Sequence, residues 1–316
     1  MRSEPILVRP SRSNLSHPRS DAYGWRATAR ICGGLAALVV LSPVIAVDVS
    51  PWALFLVAPC LGARIYKTTI LLHDCVHGSL FATRRANRLV GRFAASLSGI
   101  EFKTFARLHA THHRRYGRPG DPQGMDYLGL EQASRGRLLW HLLNPLTGYG
   151  LVKLDGLRAN GALGKGDWRH HLIWLAVVQG MIAVVITAGG RLWWMLPFYP
   201  ACAATFGLFC SRVRGFCEHA APPGVAAAGF VRSHARHPIE ALFFYDLNFN
   251  HHVEHHLHPT VPSRDLPALQ AALRGRGDAR LVISPSLTRT VLERLGAAPW
   301  RHRNAPGEAL GKRMSS

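Results

Sequence analysis

Three short segments of this chain concentrate histidine at spacings that suit metal binding: His73-Asp-Cys-Val-His77, His109-Ala-Thr-His112-His113 and His252-Val-Glu-His255-His256. Helix residues three or four apart share a face, so two imidazoles in each segment can converge on one ion. In the second and third segments the adjacent ring turns aside. Imidazole is a ligand for zinc, iron and copper. The three segments hold eight of the 18 histidines. That exceeds the needs of one tetrahedral zinc, which takes four protein ligands in a structural site and three in a catalytic one. Two metals sharing the set is the simpler arithmetic. A lone histidine pair is usually a solvated or core pair, but two of these three clusters repeat the same H-x-x-H-H spacing.

The elements that must carry these clusters read as helices. Residues 31–47 form a nearly uncharged run with Pro43 inside it, and Asp48-Val49-Ser50-Pro51 breaks it. Residues 52–72 form a second run with Arg64 and Lys67 near its far end, where long side chains would snorkel to an interface. A second pair, 172–188 and 192–211, is joined by Gly189-Gly190-Arg191. The stretch 89–100, interrupted by Arg92, is too short to span and suits an interfacial or re-entrant helix. No strand pattern stands out. The expectation is an all-α membrane protein: four transmembrane helices in two hairpins, with a cytoplasmic helical cap carrying the clusters. Residues 1–29 read as a flexible basic tail without the apolar core of a cleaved leader. Residues 30–275 read as the membrane domain and 276–316 as a C-terminal cytoplasmic tail.

Composition agrees with a membrane protein. Lys+Arg number 38 against 18 Asp+Glu, a net charge of +20, yet mean hydropathy is +0.05. Strongly apolar segments must offset the basic ones, which excludes a disordered chain. The turns at 48–51 and 189–191 hold one arginine between them, while most other basic residues lie in the tails and large loops. The positive-inside rule then puts both termini in the cytoplasm of a multi-pass inner-membrane protein. Anionic headgroups account for the remaining charge. Zinc fingers, RNP-type aromatics and basic heptads are absent, which argues against nucleic acid. The six cysteines form no C-x-x-C pair and read as small hydrophobes.

The order HDCVH, HATHH, HHVEHH, with paired hairpins before and between, resembles the integral-membrane fatty acid desaturase family across roughly residues 30–275. Arg214-Gly-Phe-Cys-Glu-His219 is similar to the family's E-H element. Asn248-Phe-Asn250-His-His252-Val-Glu-His-His-Leu257, then Pro259 and Val261-Pro262, is similar to its third-box region, and Leu266-Pro-Ala-Leu269 to the short helix that follows. The resemblance implies a non-haem di-iron centre held by His73, His77, His109, His112, His113, His219, His252, His255 and His256, with two irons per chain and O2 as co-substrate.

Asp74, Asp121, Glu218 and Glu254 lie beside the boxes or just after the second, where carboxylates orient imidazole rings or reach a metal. Asn248 or Asn250 is a further candidate to reach a metal, directly or through water. Asp121-Pro122-Gln123 partly resembles the D-P-D run of carotenoid ketolases, with Gln in the third place. His251 and His258 stand where the family commonly has other residues and read as flanking the site. His17, His141, His170, His171, His234, His237 and His302 lie outside the boxes.

The resemblance implies hydrogen abstraction from an unactivated C–H bond of a lipid or acyl substrate arriving from the bilayer. The outcome is a double bond, or a hydroxyl if oxygen is inserted. No dinucleotide fingerprint, iron–sulfur spacing or fused haem domain is present, so an external ferredoxin or cytochrome-type donor is implied. The first expectation is an acyl-lipid desaturase. The alternatives are a hydroxylase, a carotenoid ketolase or a desaturase of a small amino-acid-derived metabolite, and, from another class, a non-enzymatic metal transporter.

Overall fold

The computed structural model describes residues 21–148 and 168–296. His17 and His302, most of the tails and the segment 149–167 lie outside the described residues. Helix α1 spans Asp21–Val44 and passes into a π-turn, Ile45–Val49, just after Pro43. Proline removes a helix hydrogen bond at its own position, which lets the ladder slip there. A short 3-10 turn, Pro51–Ala53, leads into α2, Leu54–Val76.

α1 begins ten residues before the apolar run. The Asp21 carboxylate accepts from Ala82 N at 2.7 Å, and Trp25 packs edge-on against Phe81 at 4.9 Å between ring centroids. A Cβ on Gly24 would stand 2.6 Å from the Phe81 ring, so only glycine lets the two segments close. Residues 21–29 are therefore helix, not part of a loose tail.

α3, Arg84–Leu97, packs back against α2, and α4 follows at Phe102–Arg115. The C-terminal carbonyls of α3 sit among span helices. Gln179 Nε2 donates to Ser96 O at 2.7 Å and Tyr199 OH to Leu97 O at 2.7 Å. Such carbonyls must be satisfied wherever water is excluded.

α5 covers Arg135–Leu143 and α6 Trp168–Ile186. The expected turn follows, with Gly189 at φ 69° and Gly190 at φ 95°. After a 3-10 turn at Trp193–Met195, α7 (Phe198–Cys202), a π-turn (Ala203–Gly207) and α8 (Leu208–His219) run on in succession. Gly62 makes the crossing with α2 possible: its Cβ would lie 2.5 Å from Phe206 Cβ and 2.7 Å from Cys202 O.

Among the described residues, three helices are long and apolar enough to cross a membrane: Asp21–Val49, Pro51–Val76 and Arg169–Ile186. The expected fourth, 192–211, is helical only from Phe198. Its helix runs past Ser211 through Arg212 and Arg214, which dilute its apolar character. Large apolar side chains point outward from the spans, with Leu56 81% and Met181 65% exposed. Such a surface suits lipid rather than water.

Lys67 does not snorkel. It is buried, donates from Nζ to Ala241 O at 2.8 Å and sits 3.9 Å from Asp246 Oδ2, while Arg30 pairs with Asp246 Oδ1. The α1–α2 hairpin thereby grips the chain just ahead of the third histidine cluster. That chain carries α9 (Pro238–Phe243), α10 (His252–Leu257), α11 (Leu266–Gly275) and α12 (Leu287–Arg294), with two-residue parallel strands Ser233–His234 and Ile283–Ser284. Leu287 is buried against Phe216 and Cys217, and Glu240 caps the start of α12, so residues 281–294 are packed body rather than tail. All six cysteines are free, and Cys75, Cys202, Cys210 and Cys217 are buried.

Candidate metal centre

α2 ends at its histidines, with His73 in its last turn and His77 as its C-cap. α4 ends on His112 and His113, α8 ends on His219, and the short α10 carries the third cluster. Four helix ends thus meet, and their nine imidazoles sort into two groups. His73, His77, His109, His113 and His255 form one, and His112, His219, His252 and His256 the other.

The H-x-x-H-H clusters each divide between the groups. His109 and His113 join the five-membered group while His112 turns to the other; His252 and His256 join the four-membered group while His255 crosses back. Adjacent helix residues point about 100° apart, so one short helix can serve two ions.

Within the five-membered group, Nε2 atoms lie 3.0 Å apart for His73 and His255, 2.8 Å for His77 and His109, 2.9 Å for His109 and His113, and 3.0 Å for His113 and His255. In the other group His219 and His252 are separated by 2.9 Å, and His252 and His256 by 3.1 Å. For metal–imidazole bonds of roughly 2.0–2.1 Å, ligands at right angles lie about 2.8–3.0 Å apart, and tetrahedral ones about 3.3–3.4 Å. All donor atoms within each group lie within 4.8 Å of one another, a spread that can hold a metal ion. His112 Nε2 is fully buried among the four-membered group without a hydrogen-bond partner, an orphaned lone pair that a metal would satisfy.

The rings are held from behind. Asp74 Oδ1 faces His73 Nδ1 at 3.1 Å, and Asp121 Oδ1 faces His112 Nδ1 at 2.9 Å. Asp121 is itself fixed by Gln123 N at 2.9 Å and by the Tyr127 hydroxyl. Carboxylates there fix the tautomer and turn Nε2 inward. Tyr127 stacks on His219 at 5.0 Å and Tyr116 packs on His256 at 4.5 Å. Burial pulls the imidazole pKa values down, to about 4 for His77, about 3 for His113 and well below the usual range for His109, His252, His255 and His256. Neutral imidazole is the form that binds metal.

Glu218 does not orient its neighbour His219. Its Oε2 accepts from Arg214 Nε at 2.9 Å and lies 3.4 Å from His252 Nε2, on the ligand side. Glu254 accepts from Ser233 and Gln270 and lies 3.7 Å from His251 Nδ1, so it braces α10. Asn248 and Asn250 donate their amides to Ser263 O at 3.2 Å and His234 O at 2.9 Å, holding the turn before α10. In that turn Leu247 and Asn248 have φ of 50° and 57°, a strained pair of the sort found at functional sites. His258 is partly buried near Arg280 and Asp278. His141 bonds Asp126 O and His234 bonds Thr290, outside both groups. Sequence reasoning missed Asp246, Tyr116 and Tyr127, which carry no metal-type spacing.

A cavity of about 160 Å³ lies in front of the imidazoles. His73 and His109 of one group and His252 of the other line it, with Phe105, Phe249 and polar residues from α2, α8 and the loop after α4.

The Fatty acid desaturase family profile matches residues 50–283. A sphingolipid delta(4)-desaturase of Xenopus tropicalis is 28% identical over 235 residues, 69% of this chain and 65% of its own length. A human sphingolipid delta(4)-desaturase/C4-monooxygenase is 27% identical, over 69% of this chain and 65% of its own. A beta-carotene ketolase of Paracoccus sp. (strain PC1) is 25% identical, over 74% of this chain and 90% of its own. The chain therefore spans just under two thirds of the two sphingolipid enzymes. With a match that includes every clustered histidine and most of the chain, this protein belongs to the fatty acid desaturase family.

Proposed function

We propose that the chain is a membrane-bound, O2-dependent di-iron oxidoreductase that introduces a double bond into an acyl chain. The observation that carries this reading is the sorting of nine imidazoles into groups of five and four that open on one cavity. Two irons bound there would supply O2 activation and hydrogen removal from an unactivated C–H bond. His73, His77, His109, His113 and His255 would hold one, and His112, His219, His252 and His256 the other. Asp74 and Asp121 keep the Nδ1 protons of His73 and His112 turned away from the metal. Burial of the rings excludes bulk water from the reacting segment.

A four-span arrangement in the inner membrane, with both termini cytoplasmic, completes the reading. Its support is the three apolar helices, the Phe198–His219 segment and the Arg-poor turns at 48–51 and 189–191. Residues 30–275, extended by the helical 21–29 and the packed 281–294, would form the membrane domain, with a cytoplasmic cap bearing the imidazoles. Exposed Ser211, within the fourth segment, lies at the cavity, which suits entry of a lipid-borne substrate. Electrons would come from a ferredoxin or cytochrome-type donor on the basic face.

Oxygen insertion is the second reading, favoured by the monooxygenase and ketolase names among the relatives. A small amino-acid-derived substrate is a further alternative. A transporter would keep its ligands near the bilayer midplane, whereas these stand at helix ends. Mass spectrometry of lipid extracts from a host expressing the chain tests the proposal. Loss of two hydrogens from a host lipid supports desaturation, and gain of an oxygen supports the second reading. Extracts unchanged from those of the His112→Ala variant would refute both.

A further inference from the structure

The cavity in front of the imidazoles is not the apolar slot that plain hydrocarbon would need. Tyr66, Thr69, Gln123, Asp126, Arg214 and Glu218 line it, and Phe105 and Phe249 supply its only purely apolar side chains. A hydrocarbon pressed against that wall would cover the exposed edge of the Arg214 guanidinium and return no hydrogen bond, which is costly.

Arg214 is the best-placed group on this wall. Its guanidinium lies over Phe249, with Cζ 3.9 Å from the ring centroid. Nε donates to Glu218 at 2.9 Å and Nη1 to the Tyr66 hydroxyl at 2.8 Å, which fixes the planar fork. Neither bond uses Nη2, and the side chain keeps 13% exposure. Arg214 and the imidazoles of His73, His109 and His252 line the same cavity of about 160 Å³, so a group held by the arginine lies beside the carbon that faces the rings.

We propose that the substrate carries an acceptor oxygen, a hydroxyl or a carbonyl, within a few bonds of the carbon that reacts, and that Arg214 is the residue that binds it. This rests on the reading of the cavity as the place where substrate meets the two metal sites. A charge-assisted hydrogen bond then offsets the desolvation of the wall and fixes which carbon faces the imidazoles.

The test is equilibrium binding of radiolabelled hexadecane, hexadecanone and hexadecanol to the purified, metal-loaded full chain in detergent. The ketone and the alcohol should bind at least ~10-fold more tightly than the alkane, the typical worth of a hydrogen bond to a charged group. The preference should vanish in Arg214→Met and weaken in Tyr66→Phe, which keeps the Arg214–Glu218 pair if loss of the arginine prevents folding. Equal binding of all three, or no binding, by the wild-type chain overturns the proposal, as does a preference unchanged in both variants. Product analysis of cells that express the chain and are fed the same three ligands, where the host supplies O2 and the electron donor, separates the two readings. Oxygen-dependent preference without oxidation of any ligand leaves the binding proposal standing and sinks the oxidoreductase reading. Oxidation of all three without preference does the reverse.

Discussion

His113 of the second cluster and His255 of the third meet with their Nε2 atoms 3.0 Å apart, across 142 residues of sequence. Each leaves a helix whose other cluster members include a ligand of the opposite group. The pair therefore marks where two chain segments share one imidazole group while dividing their remaining histidines between the two groups.

Purified protein should carry close to two irons per chain by elemental analysis. His112→Ala should remove a ligand from the four-membered group and His255→Ala one from the five-membered group, and both should abolish turnover. One zinc and no iron in a fully active preparation would contradict the assignment.

His219→Ala should cost more than its isolation from the boxes suggests, because it leaves three imidazoles at its site. We expect loss of about one of the two metals and a drop in activity of at least ~10–100-fold. His171→Ala, in a separate small pocket with Glu101 and Trp174, should retain metal and turnover. Equal metal content in the two variants would remove His219 from the ligand set.

Asp246→Ala should destabilise the fold as well as the site. It leaves buried Lys67 without its carboxylate and frees the turn that leads to α10. Breaking a buried pair costs about 3–5 kcal/mol, and a thermal-melt shift in detergent reads it. A melting temperature equal to wild type would show that the grip on this turn lies elsewhere.

The metal-stripped protein should lose stability on acidification. Folded imidazole pKa values are depressed, to about 4 at His77 and about 3 at His113, whereas unfolded histidines titrate near ~6.5. The unfolded state then takes up protons first. The contribution is fully present above pH ~6.5 and declines as pH falls toward the folded values. Melting temperatures of the stripped protein between pH 8 and pH 5 measure this, and a flat profile would contradict it.

Reporter fusions at Ser316 and near Gly190 address topology. A cytoplasmic signal at Ser316 and a periplasmic one at Gly190 are expected, and a periplasmic Ser316 would reverse the orientation.

Much of the centre was legible in the sequence because helical spacing is local: the eight clustered histidines follow from residue numbers three and four apart. Which ion each would serve was not legible. That depends on how α4 and α10 approach one another, and His112 differs from His113 only by the turn between neighbours. Lys67 read as a snorkelling lysine because its partner Asp246 lies 179 residues away. The apolar run 192–211 does not show that its helix begins at Phe198 and continues through Arg212 and Arg214 to His219, because those arginines find partners in Asp126 and Glu218, distant from or outside the run. The packing of residues 281–294 depends on Glu240 and Phe216, and no periodicity in the segment itself reveals such partners.

The sharing of α4 and α10 between the groups also bears on assembly. Neither site can be completed by one stretch of chain, so the first ion captured must draw both helices into register. That ordering pre-positions the remaining ligands, and the second ion meets a site whose entropy cost has already been met. Loading should then be cooperative, with singly occupied chains scarce at any ratio of metal to protein.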